Sequence, residues 1–181
     1  MIRYCRNSVK LFEFAWTGEN CVMPKRLTLP RITPCQPLPS VEVRDSPIHG
    51  LGVFAATQLN KGGSVGLYDG RRYTAKQLLQ VDWNLKLTYL FGLSDGSTID
   101  GGEGGNATRH LNHACAPNCE AVEEDDAEGR VVVRIVALKR IRVGQELFID
   151  YGLVADESAR PGDYACRCGA KNCRGTMLGC T

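Results

Sequence analysis

The sequence predicts a mainly β fold followed by a short metal-bound segment at its C-terminal end. Short stretches of alternating or wholly apolar residues recur along the chain, and turns rich in Gly, Pro, Asn and Asp separate them. The clearest strand is Arg130–Leu138, which is rich in valine and isoleucine. Three of the nine cysteines lie in Cys166–Cys173, and such clustering favours metal ligation over a disulfide framework.

Size and composition are those of one globular domain with an attached tail. The 181 residues are 43% hydrophobic and 23% charged, which is typical of a soluble protein with its own core. No apolar run approaches the roughly 18 residues of a membrane-spanning helix. The N-terminus also lacks a convincing signal peptide. We therefore expect an intracellular, reduced protein with no membrane partner.

The first 40 residues differ from the rest of the chain. They carry six Lys/Arg and two Asp/Glu, and five prolines interrupt them without any helix or strand period. We interpret residues 1–40 as a disordered or loosely attached basic leader. The remaining residues carry 16 basic and 18 acidic side chains. This balance argues against sequence-specific nucleic-acid binding and suits the recognition of a basic peptide.

From residue 41 onward, the pattern predicts short strands and one helix. The helix is expected over Ala75–Trp83, with Thr74 as its N-cap and Leu78, Leu79 and Trp83 on one face. Gly101–Gly105 is interpreted as a flexible loop, and the acidic run Glu120–Glu128 as a solvated loop. The expected strands, besides Arg130–Leu138, are Val41–Arg44, Val53–Ala56, Val65–Tyr68, Tyr89–Leu93, Ser97–Ile99 and Glu146–Tyr151.

The strongest chemical signal is the spacing of Cys166, Cys168 and Cys173. Thiolates this close can converge on one tetrahedral zinc ion, and the tail has too little apolar surface to fold without such a ligand. Three ligands are local, so a fourth must come from elsewhere. Cys115, Cys119 and Cys180 are the candidates.

The segment Arg109–Asn118 concentrates two histidines, two asparagines and a cysteine, and buried polar groups at this density need partners. Asn112 and His113 could serve as a catalytic or metal pair. A thiol nucleophile built from Cys115 and His113 is disfavoured, because a capable base would have to hydrogen-bond the thiol. Two further stretches stand out: His49–Gly52, where glycines allow close backbone approach, and Gly144–Gly152, whose strand ends at Tyr151, a residue that needs a partner for its hydroxyl if it is buried.

Taken together, these stretches resemble the SET-domain family of S-adenosylmethionine-dependent protein lysine methyltransferases with a post-SET zinc tail. The resemblance extends from about Val41 to Leu178. The matching runs, in the family's order, are Ile48–Ala55, Val65–Gly70, Gly105–Asn118, Gly144–Gly152 and Cys166–Gly175.

The resemblance implies a SET fold of several small twisted sheets with a knot-like core. It assigns residues 41–155 to the SET domain and 156–181 to a post-SET tail. It implies two cofactors, S-adenosylmethionine and zinc, with Cys115 joining Cys166, Cys168 and Cys173 on the metal. The implied catalytic residues are Tyr151, Tyr68 and Tyr89. The implied cofactor-binding residues are His49, Gly50, Leu51, Gly52, Arg109, Asn112, His113, Tyr151, Met177 and Leu178.

The implied activity is methyl transfer to the ε-amine of a lysine in a basic protein or peptide. A histone tail would place the protein in the nucleus, on chromatin, and a non-histone substrate would place it in the cytoplasm. The alternative is a catalytically weak SET-like zinc module that binds a peptide partner. We expect a monomer.

Four positions depart from the family pattern. His110 and Ala114 replace the usual Phe and Ser of the central motif, and Leu67 replaces the usual Glu. Ile149 stands where the family commonly has Phe or Tyr.

Overall fold

Strands dominate the computed structural model, which describes residues 34–81, 89–154 and 161–179. The predicted mainly β class is confirmed. No helix in these ranges is both long enough and apolar enough to cross a membrane. The elements, in chain order, are β1 (Val41–Asp45), β2 (Leu51–Ala55), β3 (Ser64–Leu67), β4 (Arg71–Tyr73), α1 (Ala75–Leu78), β5 (Leu90–Gly92), β6 (Thr98–Asp100), a 3-10 helix (Ala107–His110), β7 (Asn112–His113), β8 (Cys119–Asp125), β9 (Val131–Ala137), β10 (Glu146–Ile149) and a second 3-10 helix (Pro161–Tyr164).

The strands form three small sheets. Their orders are β1-β2-β10-β7, β3-β9-β8 and β4-β6-β5. One hydrophobic core takes side chains from all three sheets, and its most deeply buried members include Val53 of β2, Leu147 of β10, and Val133 and Ile135 of β9. Burial of this apolar surface is the main driving force for the fold.

The two-residue strand β7 decides where the site forms. It lies parallel to β10, with Asn112 opposite Phe148 and His113 opposite Ile149. Parallel neighbours must be joined by a long crossover, and here 32 residues separate the end of β7 from the start of β10. The pairing brings the central polar segment beside the end of β10, where Tyr151 follows.

The acidic run is a strand, and its interpretation as a solvated loop is wrong. Strand β8 pairs antiparallel with β9 along its whole length. Cys119 and Ala121 point into the core, while Glu120 is exposed. Glutamates at the outward positions concealed the alternation that marks a half-buried strand. Glu124 also pairs with Arg134 of β9, which offsets its charge.

The predicted helix begins where expected but is shorter. Thr74 caps it, and its hydroxyl accepts the Gln77 N–H at 3.3 Å, while the Gln77 side chain returns to the Thr74 N–H at 2.8 Å. Helix α1 ends at Leu78, which is buried, whereas Leu79 is exposed. Leu79 is the C-cap residue that follows the helix, and its exposed side chain does not join the buried face expected for it. Trp83 lies outside the described residues.

The described end of the leader is attached to the domain. Gln36 forms a parallel bridge with Asn106: its N–H donates to the Gly105 carbonyl at 3.1 Å, and its carbonyl accepts from the Ala107 N–H at 3.1 Å. Leu38 packs against the core. Residues 1–33 lie outside the described part of the chain.

Candidate functional site

Three tyrosines converge near the crossover of β7 and β10. The Tyr151 hydroxyl donates to the Leu111 carbonyl at 2.7 Å, and the Tyr68 hydroxyl donates to the Tyr89 carbonyl at 2.7 Å. Burial raises the pKa of both hydroxyls, and the neighbouring tyrosines reinforce the rise. Tyr68 and Tyr151 are therefore neutral phenols at physiological pH, able to donate hydrogen bonds in fixed directions.

Glycines of the 101–105 segment make room for this cluster. A Cβ atom on Gly101 would lie 3.0 Å from the Tyr68 hydroxyl oxygen and 2.9 Å from Cβ of Arg109. A Cβ atom on Gly105 would lie 2.8 Å from the Asp69 carbonyl oxygen. Both glycines are buried. The segment is thus a turn, as the loop expected from its sequence requires, and it is closely packed at both of these glycines.

Arg109 lies at the tyrosine cluster. Its Nη1 donates to the Gly101 carbonyl at 3.2 Å, and its guanidinium carbon lies 5.3 Å from the centre of the Tyr89 ring. Its Nε donates to Nε2 of His110 at 3.1 Å. The His110 ring meets the Tyr89 ring edge-on, with centroids 5.5 Å apart. The histidine that replaces the family's Phe therefore accepts a hydrogen bond that Phe cannot accept.

Asn112 fixes the backbone of the glycine-containing turn before β2. Its buried amide donates to the carbonyls of His49 at 3.3 Å and Leu51 at 3.0 Å. The same amide donates to Oε1 of buried Glu146 at 2.9 Å. Gly50 adopts a φ of +48°, in the left-handed region that favours glycine. The predicted residues 49–52 and 112 are therefore together, and Glu146 completes their network.

Gly52 has no space for a side chain. A Cβ atom there would overlap Oε1 of Glu146 and lie 2.9 Å from its Cδ, so Gly52→Ala must displace the carboxylate that Asn112 binds. We expect the free energy of unfolding to fall by about 1–3 kcal/mol, the usual cost of overpacking. Denaturant titration measures it, with Gly162→Ala as the control, because a Cβ atom on Gly162 would meet nothing within 4 Å. Equal stability of the two variants would contradict the expected clash.

His113 links the tyrosine cluster to the cysteines. Its Nδ1 accepts the Tyr151 N–H at 3.2 Å, and its Nε2 lies 3.4 Å from Sγ of Cys115. Burial lowers the pKa of His113, so the ring is neutral at pH 7. With Nδ1 accepting, these partners assign the proton to Nε2, which donates it towards the sulfur.

The four cysteines assigned by the resemblance come together. Their sulfur atoms all lie within 4.8 Å of one another. Sγ of Cys115 lies 3.7 Å from Sγ of Cys166 and 3.8 Å from Sγ of Cys173. A tetrahedral zinc site with bonds of about 2.3 Å places its sulfurs about 3.8 Å apart. The four residues Cys115, Cys166, Cys168 and Cys173 can hold zinc.

Backbone N–H groups surround these sulfurs as thiolates require. The Arg174 N–H donates to Sγ of Cys115 at 3.4 Å, and the Cys115 N–H donates to Sγ of Cys168 at 3.5 Å. Burial raises the pKa of Cys115 and raises that of Cys166 to about 12, whereas N–H donors at Cys115 and Ala170 outweigh burial at Cys168 and lower its pKa to about 7. Such second-layer donors stabilise the deprotonated ligands of a metal site.

Of the other two candidates for the fourth ligand, Cys119 is not in the cluster. Cys119 is fully buried in β8, and burial raises the pKa of its thiol to about 12. Cys180 lies outside the described residues. The sequence alone left all three candidates open, because ligation depends on a contact spanning about fifty residues.

The tail then runs along the segment that follows Tyr151. Leu153 forms a parallel bridge with Leu178, and its N–H donates to the Met177 carbonyl at 3.3 Å. Met177 and Leu178 thus lie beside the chain as it leaves the tyrosine cluster. Glycines at 169 and 175, with φ of +68° and +74°, allow the turns that wrap the tail.

Sequence reasoning missed three contributors to this region. Glu146 is buried under Asn112, and Asp150 and Arg174 form an ion pair between the end of β10 and the tail. Asp150 and Arg174 stand beside residues that the sequence singled out, yet nothing in the sequence shows that they pair. Glu146 packs against Gly52 because of the register between β2 and β10, and the sequence does not show that register.

Comparisons with known proteins agree with this architecture. The SET domain model matches residues 50–152. Histone-lysine N-methyltransferase 2B of Homo sapiens is 34% identical over 139 residues, covering 75% of this chain and 5% of that protein. Histone-lysine N-methyltransferase ASHR3 of Arabidopsis thaliana is 34% identical over 133 residues, covering 71% of this chain and 26% of that protein. The H3 lysine-36 specific histone-lysine N-methyltransferase of Homo sapiens is 32% identical over 144 residues, covering 77% of this chain and 5% of that protein.

A solved structure shares the fold. The structure of ctPRC2 in an autoinhibited conformation bound to S-adenosylmethionine matches with a TM-score of 0.56 and 29% identity, over 62% of this chain and 15% of that one. The chain spans about a quarter or less of the length of these relatives. The match to residues 50–152, together with the sheets and the site geometry, shows that the chain belongs to the SET domain family.

Proposed function

We propose that this chain transfers a methyl group from S-adenosylmethionine to the ε-amine of a lysine in a basic protein. The observation that carries the proposal is the convergence of Tyr68, Tyr89 and Tyr151 at the crossover of β7 and β10. In this proposal residues 41–155 form the catalytic unit and residues 156–181 form its zinc-bound tail. The relatives named as histone-lysine methyltransferases support the reaction class.

The cofactor would lie against the network built on Asn112. Its amide holds the carbonyls of His49 and Leu51, so the N–H groups of the exposed turn have a fixed direction. Exposed Gly50 keeps that backbone accessible, without a side chain above it, while buried Gly52 leaves the space that the Glu146 carboxylate occupies. We assign Arg109, His113, Met177 and Leu178 to the same binding role, as the resemblance implies. When bound, S-adenosylmethionine supplies an already activated methyl group on a sulfonium.

The protein's own task is to present a neutral amine in line with that methyl group. A lysine has an ordinary pKa of about 10.4, and burial among aromatic rings lowers it because the charged form loses its hydration. Tyr68 and Tyr151 remain neutral phenols, and backbone carbonyls such as that of Leu111 lie beside them. These fixed dipoles can orient the amine lone pair and exclude water. No strong base is required at the reacting atom.

A basic substrate suits the charge of the proposed catalytic unit. Residues beyond 40 carry 16 basic and 18 acidic side chains. Strand β8 adds Glu120 and Asp125 as exposed acidic groups. A mildly acidic surface favours encounter with a positively charged peptide. We infer a histone tail as one substrate, and chromatin as the location that follows from it.

Methyl transfer can be tested directly. Purified full chain with S-adenosylmethionine carrying a radiolabelled methyl group should label core histones or another basic protein in a lysate, and mass spectrometry should locate the label on lysine. The Tyr151→Phe variant provides the matched control for signal that depends on the tyrosine cluster. Labelling of arginine or of nucleic acid, or no labelling at all, would contradict the proposal.

Ile149 is expected to set how many methyl groups the lysine receives. It is buried in β10, two residues before Tyr151, where the family commonly has an aromatic side chain. An aliphatic side chain leaves more room around the amine, so we expect di- or trimethylated product. Ile149→Tyr should shift the product towards monomethyllysine, measured by intact mass at saturating enzyme. Only monomethyl product from the unaltered chain would refute this expectation.

A further inference from the structure

An ion pair connects the cysteine cluster to the residue before Tyr151. Nη1 of Arg174 donates to Oδ2 of Asp150 at 2.7 Å, and Nη2 donates to Oδ1 at 2.8 Å. Both side chains are only partly exposed, at 24% and 34%. Two parallel charge-assisted bonds fix the relative orientation of the partners, which a single flexible contact would not do.

Each partner is also held by its own surroundings. The N–H of Arg174 donates to Sγ of Cys115 at 3.4 Å, so its backbone belongs to the cysteine cluster. Oδ1 of Asp150 accepts the Gly152 N–H at 3.1 Å and lies 3.4 Å from Nδ1 of His113. The side chain of Arg174 therefore reaches from the tail to the Asp150 carboxylate, which also accepts the N–H of Gly152 on the other side of Tyr151.

A second route between the same two regions passes through His113. Its Nε2 faces Cys115 and its Nδ1 accepts the N–H of Tyr151. The chain from β10 into Tyr151 is thus held from both sides by groups that contact the cysteine cluster. Neither Asp150 nor Arg174 is a metal ligand, and neither belongs to the tyrosine cluster.

We infer that the Asp150–Arg174 pair is a positioning clamp that couples metal occupancy of the four-cysteine site to the orientation of Tyr151. The catalytic part of this inference rests on the proposed methyl transfer. The coupling itself does not, because a clamp that favours the metal-bound arrangement must also favour metal binding. Breaking the pair should therefore weaken zinc affinity as well as turnover.

The test is a double-mutant cycle with Asp150→Asn, Arg174→Gln and the double variant in the full chain. Zinc dissociation constants are measured by competition with a chromogenic chelator, and kcat and KM are measured on a lysine-containing basic peptide. Arg130→Gln is the matched control, because Arg130 also forms a double ion pair but is 70% exposed and lies in the β8–β9 turn. Arg174→Lys keeps the charge without the bidentate geometry and is the milder variant should Arg174→Gln fold poorly.

We expect each single variant to weaken zinc binding about fivefold or more, within the usual range of coupling between sites. We expect kcat to fall with KM nearly unchanged, and the double variant to match the singles because both remove one interaction. The clamp would be overturned if the Asp150 and Arg174 variants bound zinc as tightly as Arg130→Gln does. It would also be overturned if the losses of zinc affinity in the two single variants added fully in the double variant. An unaltered chain that methylates no protein would refute the proposed function, while the zinc measurements would still decide the clamp.

Discussion

Tyr151→Phe is expected to lower kcat by about tenfold or more, equivalent to at least about 1.4 kcal/mol of barrier, while the fold stays intact. The change removes only the hydroxyl that donates to the Leu111 carbonyl. The phenyl ring keeps its contact with the His113 ring, whose centroid lies 5.4 Å away. Loss of the hydroxyl leaves the lysine amine without one of its fixed dipoles, and leaves the Leu111 carbonyl without its donor.

The stability cost of the same change should be modest, about 1 kcal/mol for a lost buried hydrogen bond. Tyr73→Phe is the matched control. Tyr73 is buried in β4 and its hydroxyl donates to Glu103 at 3.3 Å. The two variants should lose similar stability in denaturant titration, but only Tyr151→Phe should lose turnover. Unchanged turnover in Tyr151→Phe would remove the tyrosine from its assigned role.

Local patterns predicted most of the strands because alternation and turn residues are local signals. β1, β2, β3, β5, β6, β9 and β10 all lie within or next to expected segments. Strands β4 and β7 were not expected: β7 has only two residues, and β4 begins with two arginines, which give no apolar alternation. Strand β8 was concealed by its outward glutamates, Glu120 and Glu124, of which Glu124 pairs with Arg134 of β9.

For the site too, the sequence shows the local motifs but not the contacts between residues that are distant in the chain. The glycine turn, the Asn112–His113 pair and the cysteine triplet are visible in the sequence because each is a compact motif. Their contacts are not visible. The bond from Asn112 to Leu51 spans 61 positions, and the contact between Cys115 and Cys166 spans 51. Such pairings follow from the crossover of β7 and β10, and no propensity scale encodes a crossover.

Removal of zinc is the second change for which we expect a large effect, because zinc holds the tail in place. Every residue in the described range 162–179 keeps part of its surface exposed, so the segment has little core to stabilise it. It is held by the cysteine cluster, by the bridges at Leu153 and Ala165, and by the Asp150–Arg174 pair. A ligand that binds only the folded form contributes its binding free energy to folding, and a small cysteine-rich segment depends on that contribution.

Chelation, or Cys173→Ser, is therefore expected to release the tail to proteases and to weaken S-adenosylmethionine binding. A loss of about tenfold or more is reasonable, since even second-layer changes at metal sites cost roughly 10- to 100-fold in metal affinity or activity. Calorimetric titration measures the cofactor affinity, and limited proteolysis followed by mass spectrometry locates the released segment. Cys35→Ser is the matched control, because Cys35 is a partly exposed thiol outside the cluster.

The effect of zinc removal on the affinity for the cofactor distinguishes two possible roles of the tail. If Met177 and Leu178 complete the cofactor site, releasing the tail removes part of the binding surface, and affinity falls in parallel with zinc content. If the cysteine site only stabilises the fold, the chelated protein should lose thermal stability and keep its cofactor affinity below the new melting temperature. Leu153 pairs with Leu178 just two residues after Tyr151, so the tail cannot leave without freeing the chain beside the tyrosine cluster. We therefore expect the affinity to fall together with the zinc.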